Sequence, residues 1–206
     1  MSRADAIGEI FVVDDDPAVR ETLSIVLSGA GYQVTRFADG AAFLAAAKEQ
    51  SPLCIILDVH IPGRSGLDIL KQLNAQDYPV PIFIMSGQGD IAMAVDAIKN
   101  GALDFIEKPF KGGEVLARIR NAIETAGRRN ASDVTTLNFP GREPLTRREQ
   151  EVLAALMTGS SNKEMGRELG ISPRTIEVHR GRIVEKLGAK NTADLIRIVM
   201  TEGQRR

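Results

Sequence analysis

Ile10-Phe11-Val12-Val13-Asp14-Asp15-Asp16-Pro17 sets the pattern for the front of this chain. Four apolar residues in a row, rich in β-branched side chains, read as a strand buried on both faces. Asp16 and Pro17 then cap and open a helix, with proline at its first position. The same pattern returns three times downstream. Cys54-Ile55-Ile56-Leu57 runs into Asp58, Ile82-Phe83-Ile84-Met85 into Ser86, and Leu103-Asp104-Phe105-Ile106-Glu107 into Lys108-Pro109. In a doubly wound parallel sheet the carboxyl ends of the strands converge on one crevice, where ligands bind. Asp14, Asp15, Asp58, Ser86 and Lys108 would therefore meet at one edge. Three carboxylates, a hydroxyl and an amine suit a divalent cation beside a phosphorylatable aspartate.

Between these strands lie helical patterns. Gly31 stops the first helix, and a second strand falls at Gln33–Phe37, followed by an alanine-rich helix near residues 40–48. The loop Ile61-Pro62-Gly63-Arg64-Ser65 precedes a helix carrying Leu67, Ile69, Leu70 and Leu73. Asp90 opens a fourth helix that ends near Gly101, and Val115, Leu116, Ile119 and Ile123 stripe a fifth after Pro109. Five β/α units predict a flavodoxin-like, doubly wound (βα)5 α/β domain over residues 1–124.

The pattern then fails. Arg128-Arg129-Asn130, Ser132, Thr135-Thr136 and Pro140-Gly141 mark a polar, breaker-rich linker, taken as residues 125–141. Residues 142–206 read as a small all-α, four-helix domain. Thr146-Arg147-Arg148-Glu149 and Ser161-Asn162-Lys163-Glu164 match capping boxes. Ser172-Pro173 supplies an N-cap with a first-position proline, Gly159, Gly170 and Gly188 stop helices, and Asn191 caps a last helix through Met200. There is no internal repeat.

The bulk numbers agree with two small domains. The 206 residues are 43% hydrophobic with a net charge of −1, ordinary for a globular protein. That charge hides an asymmetry. Residues 1–124 carry 11 Lys plus Arg against 17 Asp plus Glu, a net of −6, whereas residues 125–206 carry 15 against 10, a net of +5. An acidic front and a basic back point to different partners, nucleic acid among them for the second. No apolar stretch approaches the roughly 18 residues of a membrane span, and the N-terminus lacks the basic-then-apolar form of a secretory signal. The single cysteine, Cys54, lies in an apolar run and reads as a buried structural thiol. Together these favour the cytoplasm and no membrane partner.

The chemistry of the front half follows from its oxygen donors. Mg²⁺ prefers hard oxygens, keeps several waters and needs one or two carboxylates plus phosphate. Asp58 becomes a nucleophile able to form an aspartyl-phosphate, Lys108 a point charge for a phosphoryl oxygen, and Ser86 a donor to another. Asp16 is read as a helix cap, not a ligand. Gly87-Gln88-Gly89 is a weak glycine-loop signal with no phosphate-loop lysine and serine after it.

These residues resemble the receiver domain of two-component response regulators. The resemblance spans residues 7–124 and rests on Phe11-Val12-Val13-Asp14-Asp15-Asp16, Leu57-Asp58-Val59-His60-Ile61-Pro62, Met85-Ser86-Gly87 and Phe105-Ile106-Glu107-Lys108-Pro109-Phe110. It implies that Asp58 accepts phosphate from a sensor histidine kinase. It implies that Asp15, Asp58 and the His60 backbone carbonyl hold Mg²⁺ with help from Asp14. It also implies that Ser86 and Phe105 form a switch pair and that Lys108-Pro109 is cis. Phe105 lacks the hydroxyl that some receivers carry there, so packing would have to drive its inward swing.

The second half reads as helix, tight turn, helix: Ser161–Leu169, Gly170-Ile171-Ser172, then Pro173–Leu187. Arg174, His179, Arg180, Arg182 and Lys186 alternate with Ile176, Val178, Ile183 and Leu187, which suits a recognition helix in a major groove. Leu145-Thr146-Arg147-Arg148-Glu149, Asn162-Lys163-Glu164, Leu169-Gly170-Ile171-Ser172, Arg174-Thr175-Ile176, Val178-His179-Arg180 and Lys186-Leu187-Gly188-Ala189 resemble the LuxR/NarL/FixJ-type DNA-binding domain over residues 142–203. With the receiver in front, the whole chain looks most like a FixJ-type transcriptional regulator.

By position, the resemblance places Glu177, Val178 and Gly181 at base edges, and Thr175, Arg180 and Lys186 at phosphates, with Lys163 among the DNA contacts. Some members carry a long basic residue at Gly181, so Arg182 or Arg174 would take over. Glu177 suits a cytosine amine. His179 reads as a packing or phosphate contact. Leu195, Ile196, Val199 and Met200 form an apolar stripe on the last helix that suits a dimer seam or packing within the domain. The expected partners are a sensor histidine kinase, double-stranded promoter DNA, a second copy of the chain once phosphorylated, and RNA polymerase. A haloacid-dehalogenase-type phosphatase would want an Asp two residues after the nucleophile, where His60 stands. A phosphorylation-independent DNA binder would not need the intact acidic site.

Overall fold

The structure, a computed structural model, describes residues 6–75, 78–87, 91–129 and 137–205. The chain divides into two compact units, Met1–Ala126 and Gly127–Arg206.

From the start of the first unit β1 (Glu9–Val13), α1 (Pro17–Gly29), β2 (Gln33–Phe37), α2 (Gly40–Glu49), β3 (Cys54–Asp58), α3 (Gly66–Gln72), β4 (Ile82–Ser86), α4 (Ile91–Lys99), β5 (Asp104–Glu107) and α5 (Gly112–Arg129) alternate along the chain, α5 running three residues past the unit boundary. The sheet is parallel throughout, in the order β2-β1-β3-β4-β5. From β1 the chain steps outward to β2, then crosses back to β3 on the other side. The crevice of a doubly wound sheet opens where the strand order reverses in this way, between the ends of β1 and β3, which carry Asp14 and Asp58.

Strand side chains alternate between faces, and the core divides accordingly. Ile10, Val12, Cys54, Ile56, Phe83, Met85 and Ile106 pack with Leu23 and Leu27 of α1 and Val115, Ile119 and Ala122 of α5. On the other face Phe11 meets Phe37 and Phe43 edge to face, with centroids 5.0 and 6.3 Å away. Burial of Cys54 pushes its thiol pKa up, the inert behaviour expected of a structural cysteine. Asp16 caps α1 by accepting from the Ala18 N–H, with Pro17 next. Asp90, expected to open α4, lies outside the described residues.

One expected boundary needs correction. The helix α5 continues through Arg129, so residues 125–129 are helical and not linker; the following Asn130, Ser132 and Thr135-Thr136 lie outside the described residues. The second unit is helical as expected, with one short strand pair added. Its β6 (Leu137–Asn138) pairs antiparallel with β7 (Gln204–Arg205), and Phe139 beside it is buried. Between these strands come α6 (Arg147–Met157), α7 (Asn162–Leu169), α8 (Pro173–Lys186) and α9 (Thr192–Glu202). Both capping boxes are formed, at Thr146/Glu149 and Ser161/Glu164. Gly170 ends α7 at φ 69°, in the left-handed region that glycine adopts without strain. The Ile171 N–H donates to the Gly166 carbonyl across the tight turn, and a Cβ on Gly166 would come within 2.7 Å of the Ile171 oxygen. That glycine lets α7 and α8 approach closely.

Candidate functional site

At the carboxyl edge of the sheet, backbone pairing continues one residue past the strands. The Asp14 N–H donates to the Phe37 carbonyl at 3.1 Å and the Val59 N–H to Met85 at 2.9 Å. Asp14 is fully buried, and its Oδ1 accepts from the Asp16 N–H at 2.9 Å. Asp58 is 4% exposed. The Lys108 ammonium donates to Asp14 Oδ2 at 2.8 Å and stands 2.9 Å from Asp58 Oδ1. Its peptide is cis to Pro109, and its N–H donates to the Ser86 carbonyl at 2.7 Å. The five strand ends are thus tied to one another at this edge.

The electrostatics follow from burial. Desolvation raises the Asp58 pKa above the ordinary carboxylate value, and the hydrogen bond and charge of Lys108 oppose that rise. Burial would lower the pKa of Lys108, but Asp14 and Asp58 outweigh it and the ammonium is held more firmly than usual. Asp14, Asp15 and Asp58 offer ligand oxygens within 4.8 Å of one another, the first and third buried and Asp15 exposed. A cluster of hard carboxylate oxygens, one open to solvent, fits Mg²⁺. His60, two residues beyond Asp58, is exposed.

Of the two residues expected to act as a switch pair, Ser86 is buried and Phe105 half-buried. Ile84 is in register with Phe105 and Ser86 with Glu107. The backbone at Phe105 is held by a group the sequence did not single out. Arg118 Nη2 of α5 donates to Asp104 Oδ2 and to the Phe105 carbonyl, both at 2.5 Å. Its guanidinium carbon lies 5.9 Å from the centre of the Phe83 ring. Gly66 was also missed. A Cβ there would stand 2.3 Å from the Asp58 carbonyl oxygen and 3.0 Å from the Val59 Cα, so the start of α3 can lie against the end of β3 only because this residue has no side chain.

In the second unit the recognition-helix candidates separate into two groups. Glu177, Gly181 and, on α7, Lys163 are exposed, and Arg174, Val178 and Arg180 are half-buried. A Cβ on Gly181 would meet nothing within 4 Å, so this surface position is open. Thr175 and Lys186 do not present themselves to a phosphate as expected. Thr175 is fully buried, its hydroxyl 2.9 Å from Ser172 Oγ. The Lys186 side chain is 8% exposed, and its ammonium lies 2.9 Å from Glu149 Oε2, 3.3 Å from Glu143 and 3.2 Å from the Pro144 carbonyl. Arg182 Nε approaches the same Glu149 carboxylate at 3.3 Å. Glu149, fully buried, also accepts from the Thr146 N–H as its capping-box partner. A buried carboxylate demands such cations, and the lower half of α8 supplies them to α6. His179 is buried with no protein partner at either ring nitrogen, and desolvation pulls its pKa down to about 4. It is a packing residue, not a phosphate contact.

The parallel sheet with its carboxylates and lysine, and the helix-turn-helix unit after it, define a receiver joined to a DNA-binding module. Residues 10–120 match the family described as response regulator receiver domain, and residues 143–199 match bacterial regulatory proteins, luxR family. The chain belongs to the response regulators that carry a LuxR-type DNA-binding domain. It is 43% identical over 197 residues to the transcriptional regulatory protein FixJ of Bradyrhizobium diazoefficiens, covering 95% of this chain and 96% of that one. It is 41% identical to the response regulator protein TodT of Pseudomonas putida, over 95% of this chain and 86% of the relative. A crystal structure of full-length FixJ from B. japonicum superposes with a TM-score of 0.55 at 40% identity, covering 95% and 97% of the two chains. The protein is thus a two-component transcriptional regulator and not a metabolic enzyme. Its receiver implies a sensor kinase as partner, its LuxR-type domain implies DNA, and its acidic cluster is of the kind in which receivers bind Mg²⁺. Among the described residues no helix is long and apolar enough to cross a membrane.

Proposed function

We propose that Asp58 accepts a phosphoryl group from a sensor histidine kinase and that this switches promoter binding by the second unit. The observation that carries the reading is the Lys108 ammonium shared between buried Asp14 and Asp58. Asp14, Asp15, Asp58 and the His60 carbonyl would hold Mg²⁺, which would offset carboxylate repulsion and the charge of the incoming phosphoryl group. An Asp58 oxygen attacks the donor phosphorus; the new P–O bond forms as the P–N bond of the kinase phosphohistidine breaks, and the imidazole leaves with that electron pair. Lys108 follows the new charge, about −1.5 to −2, and Ser86 donates to a second phosphoryl oxygen. Phe105 turns into the space Ser86 vacates, changing the surface around β5. Receiver pairing follows, and holding two DNA-binding domains together raises the local concentration of the second, favouring a pseudo-palindromic operator.

At the DNA, Glu177 and Val178 read bases, and Gly181 stands at a base-edge position where Arg174 takes over the reading, Arg182 being engaged by Glu149; Arg180 and Lys163 lie nearby. The regulator works in the cytoplasm as a phosphorylated homodimer and contacts RNA polymerase. The test compares dimerisation and operator affinity at fixed salt for unmodified and Asp58-phosphorylated protein. A rise of roughly 5–150-fold in affinity is expected; no change in either would remove the receiver as the switch.

A further inference from the structure

Glu177 projects from α8 as an exposed carboxylate, and an exposed glutamate samples many rotamers and is repelled by DNA phosphates. Reading one base requires that it be held. Across the turn, Asn162 stands at the first position of α7, its backbone fixed by the Ser161/Glu164 capping box. Asn162 Nδ2 donates to Glu177 Oε1 at 3.3 Å. Its Oδ1 accepts from Arg180 Nη1 at 2.6 Å, and Arg180 Nη2 reaches Thr192 Oγ1 at the start of α9, 3.4 Å away.

We propose that Asn162 is a positioning residue for sequence recognition, orienting Glu177 and Arg180 together from outside the recognition helix. This rests on Glu177 reading a base edge. The donor and acceptor inventory makes asparagine the fitting choice. An ionised glutamate only accepts and a guanidinium only donates. The residue between them must donate one way and accept the other, so the amide orientation is dictated by its two neighbours. An aspartate would keep the Arg180 bond and repel Glu177; an alanine would drop both. Glu177 and Arg180 lie three residues apart, on one face of α8, and Asn162 closes a triangle over that face. A side chain ordered before binding loses less freedom on binding, so discrimination is sharpened without a further base contact.

The test uses the full chain, treated with a small phosphodonor and Mg²⁺, and a pool of randomised DNA duplexes sequenced before and after capture. Glu177→Ala should flatten preference at one base position by roughly tenfold. Asn162→Asp and Asn162→Ala should flatten that same position, and the Asn162→Ala/Glu177→Ala double variant should lose no more than Glu177→Ala. Aspartate is well tolerated in a first helical turn, so Asn162→Asp should melt like the parent, and its loss should be confined to that position because Arg180 remains bound. A sharp preference in Asn162→Asp, beside a flattened one in Glu177→Ala, would overturn the proposal and leave base reading by Glu177 standing. No change in Glu177→Ala would instead remove base reading by Glu177, and the proposal with it.

Discussion

Lys108 Nζ lies 2.9 Å from Asp58 Oδ1, so a residue just past β5 neutralises a nearly buried carboxylate at the end of β3. The same ammonium bonds Asp14 at the end of β1. One cation thus stabilises two carboxylates that also form the acidic cluster, and it competes with any metal bound there.

Replacing Lys108 with alanine should therefore separate metal binding from phosphorylation. Mg²⁺ affinity should rise about fivefold, on the order of 1 kcal/mol for a partly solvated charge nearby. Phosphoryl transfer should slow, because the charge that follows the phosphoryl group is gone. Calorimetric Mg²⁺ titration beside phosphorylation kinetics checks both; weaker Mg²⁺ binding would count against the site as drawn.

Gly66→Ala places a methyl group 2.3 Å from the Asp58 carbonyl oxygen. Alanine normally improves a helix, yet here overpacking should cost about 1–3 kcal/mol. Phosphorylation should also slow, because either β3 or the start of α3 must move. Denaturant melts of the variant would show the loss; a gain in stability would mean that the close approach relaxes freely.

For Lys186→Ala, the buried partner decides the outcome. Removing one cation from fully buried Glu149 should destabilise the second unit by up to about 3–5 kcal/mol, moderated by Arg182 at 3.3 Å. The salt dependence of DNA binding in the folded fraction should stay unchanged. A slope lower by about one unit with unchanged melting would instead restore Lys186 as a phosphate contact.

His179 gives a pH dependence with a definite sign. Its pKa in the fold is about 4, below the ordinary unfolded value of about 6.5. The unfolded chain therefore binds more protons between these values. The stabilising preference for neutral His179 is fully present above about pH 6.5 and is lost as pH falls towards 4, with a slope approaching about 1.4 kcal/mol per pH unit. Melts of the parent and of His179→Phe across that window should differ in slope, the variant being flatter. Parallel curves would show that His179 is not desolvated.

The sheet and its site were legible because β1, β3 and β4 are short apolar runs that lead straight into Asp14, Asp58 and Ser86, and β5 leads into Lys108; buried parallel strands write themselves plainly. Asp14, Asp58, Ser86 and Lys108 could be placed from the topology alone. Helix starts were legible because their caps are local. Gly66, Arg118 and the link from Glu149 to α8 were not, because these roles depend on contacts between elements: a steric gap beside β3, an ion pair with buried Asp104, and a capping carboxylate shared with α8. Lys186 misled for the same reason. A basic residue on a recognition helix suggests phosphate until the buried acid beside it is seen. The end of α5 was missed because Ala126-Gly127-Arg128-Arg129 lacks an apolar stripe, and β6 because two residues carry no period.

Whether Asp58 is the phosphoacceptor is decided by intact-mass spectrometry of the full chain after incubation with a small phosphodonor. Parent and Asp58→Asn proteins are compared with and without Mg²⁺. The parent should gain one phosphoryl group in the presence of Mg²⁺, and Asp58→Asn none. Labelling of Asp58→Asn at the parent's rate would contradict that role for Asp58.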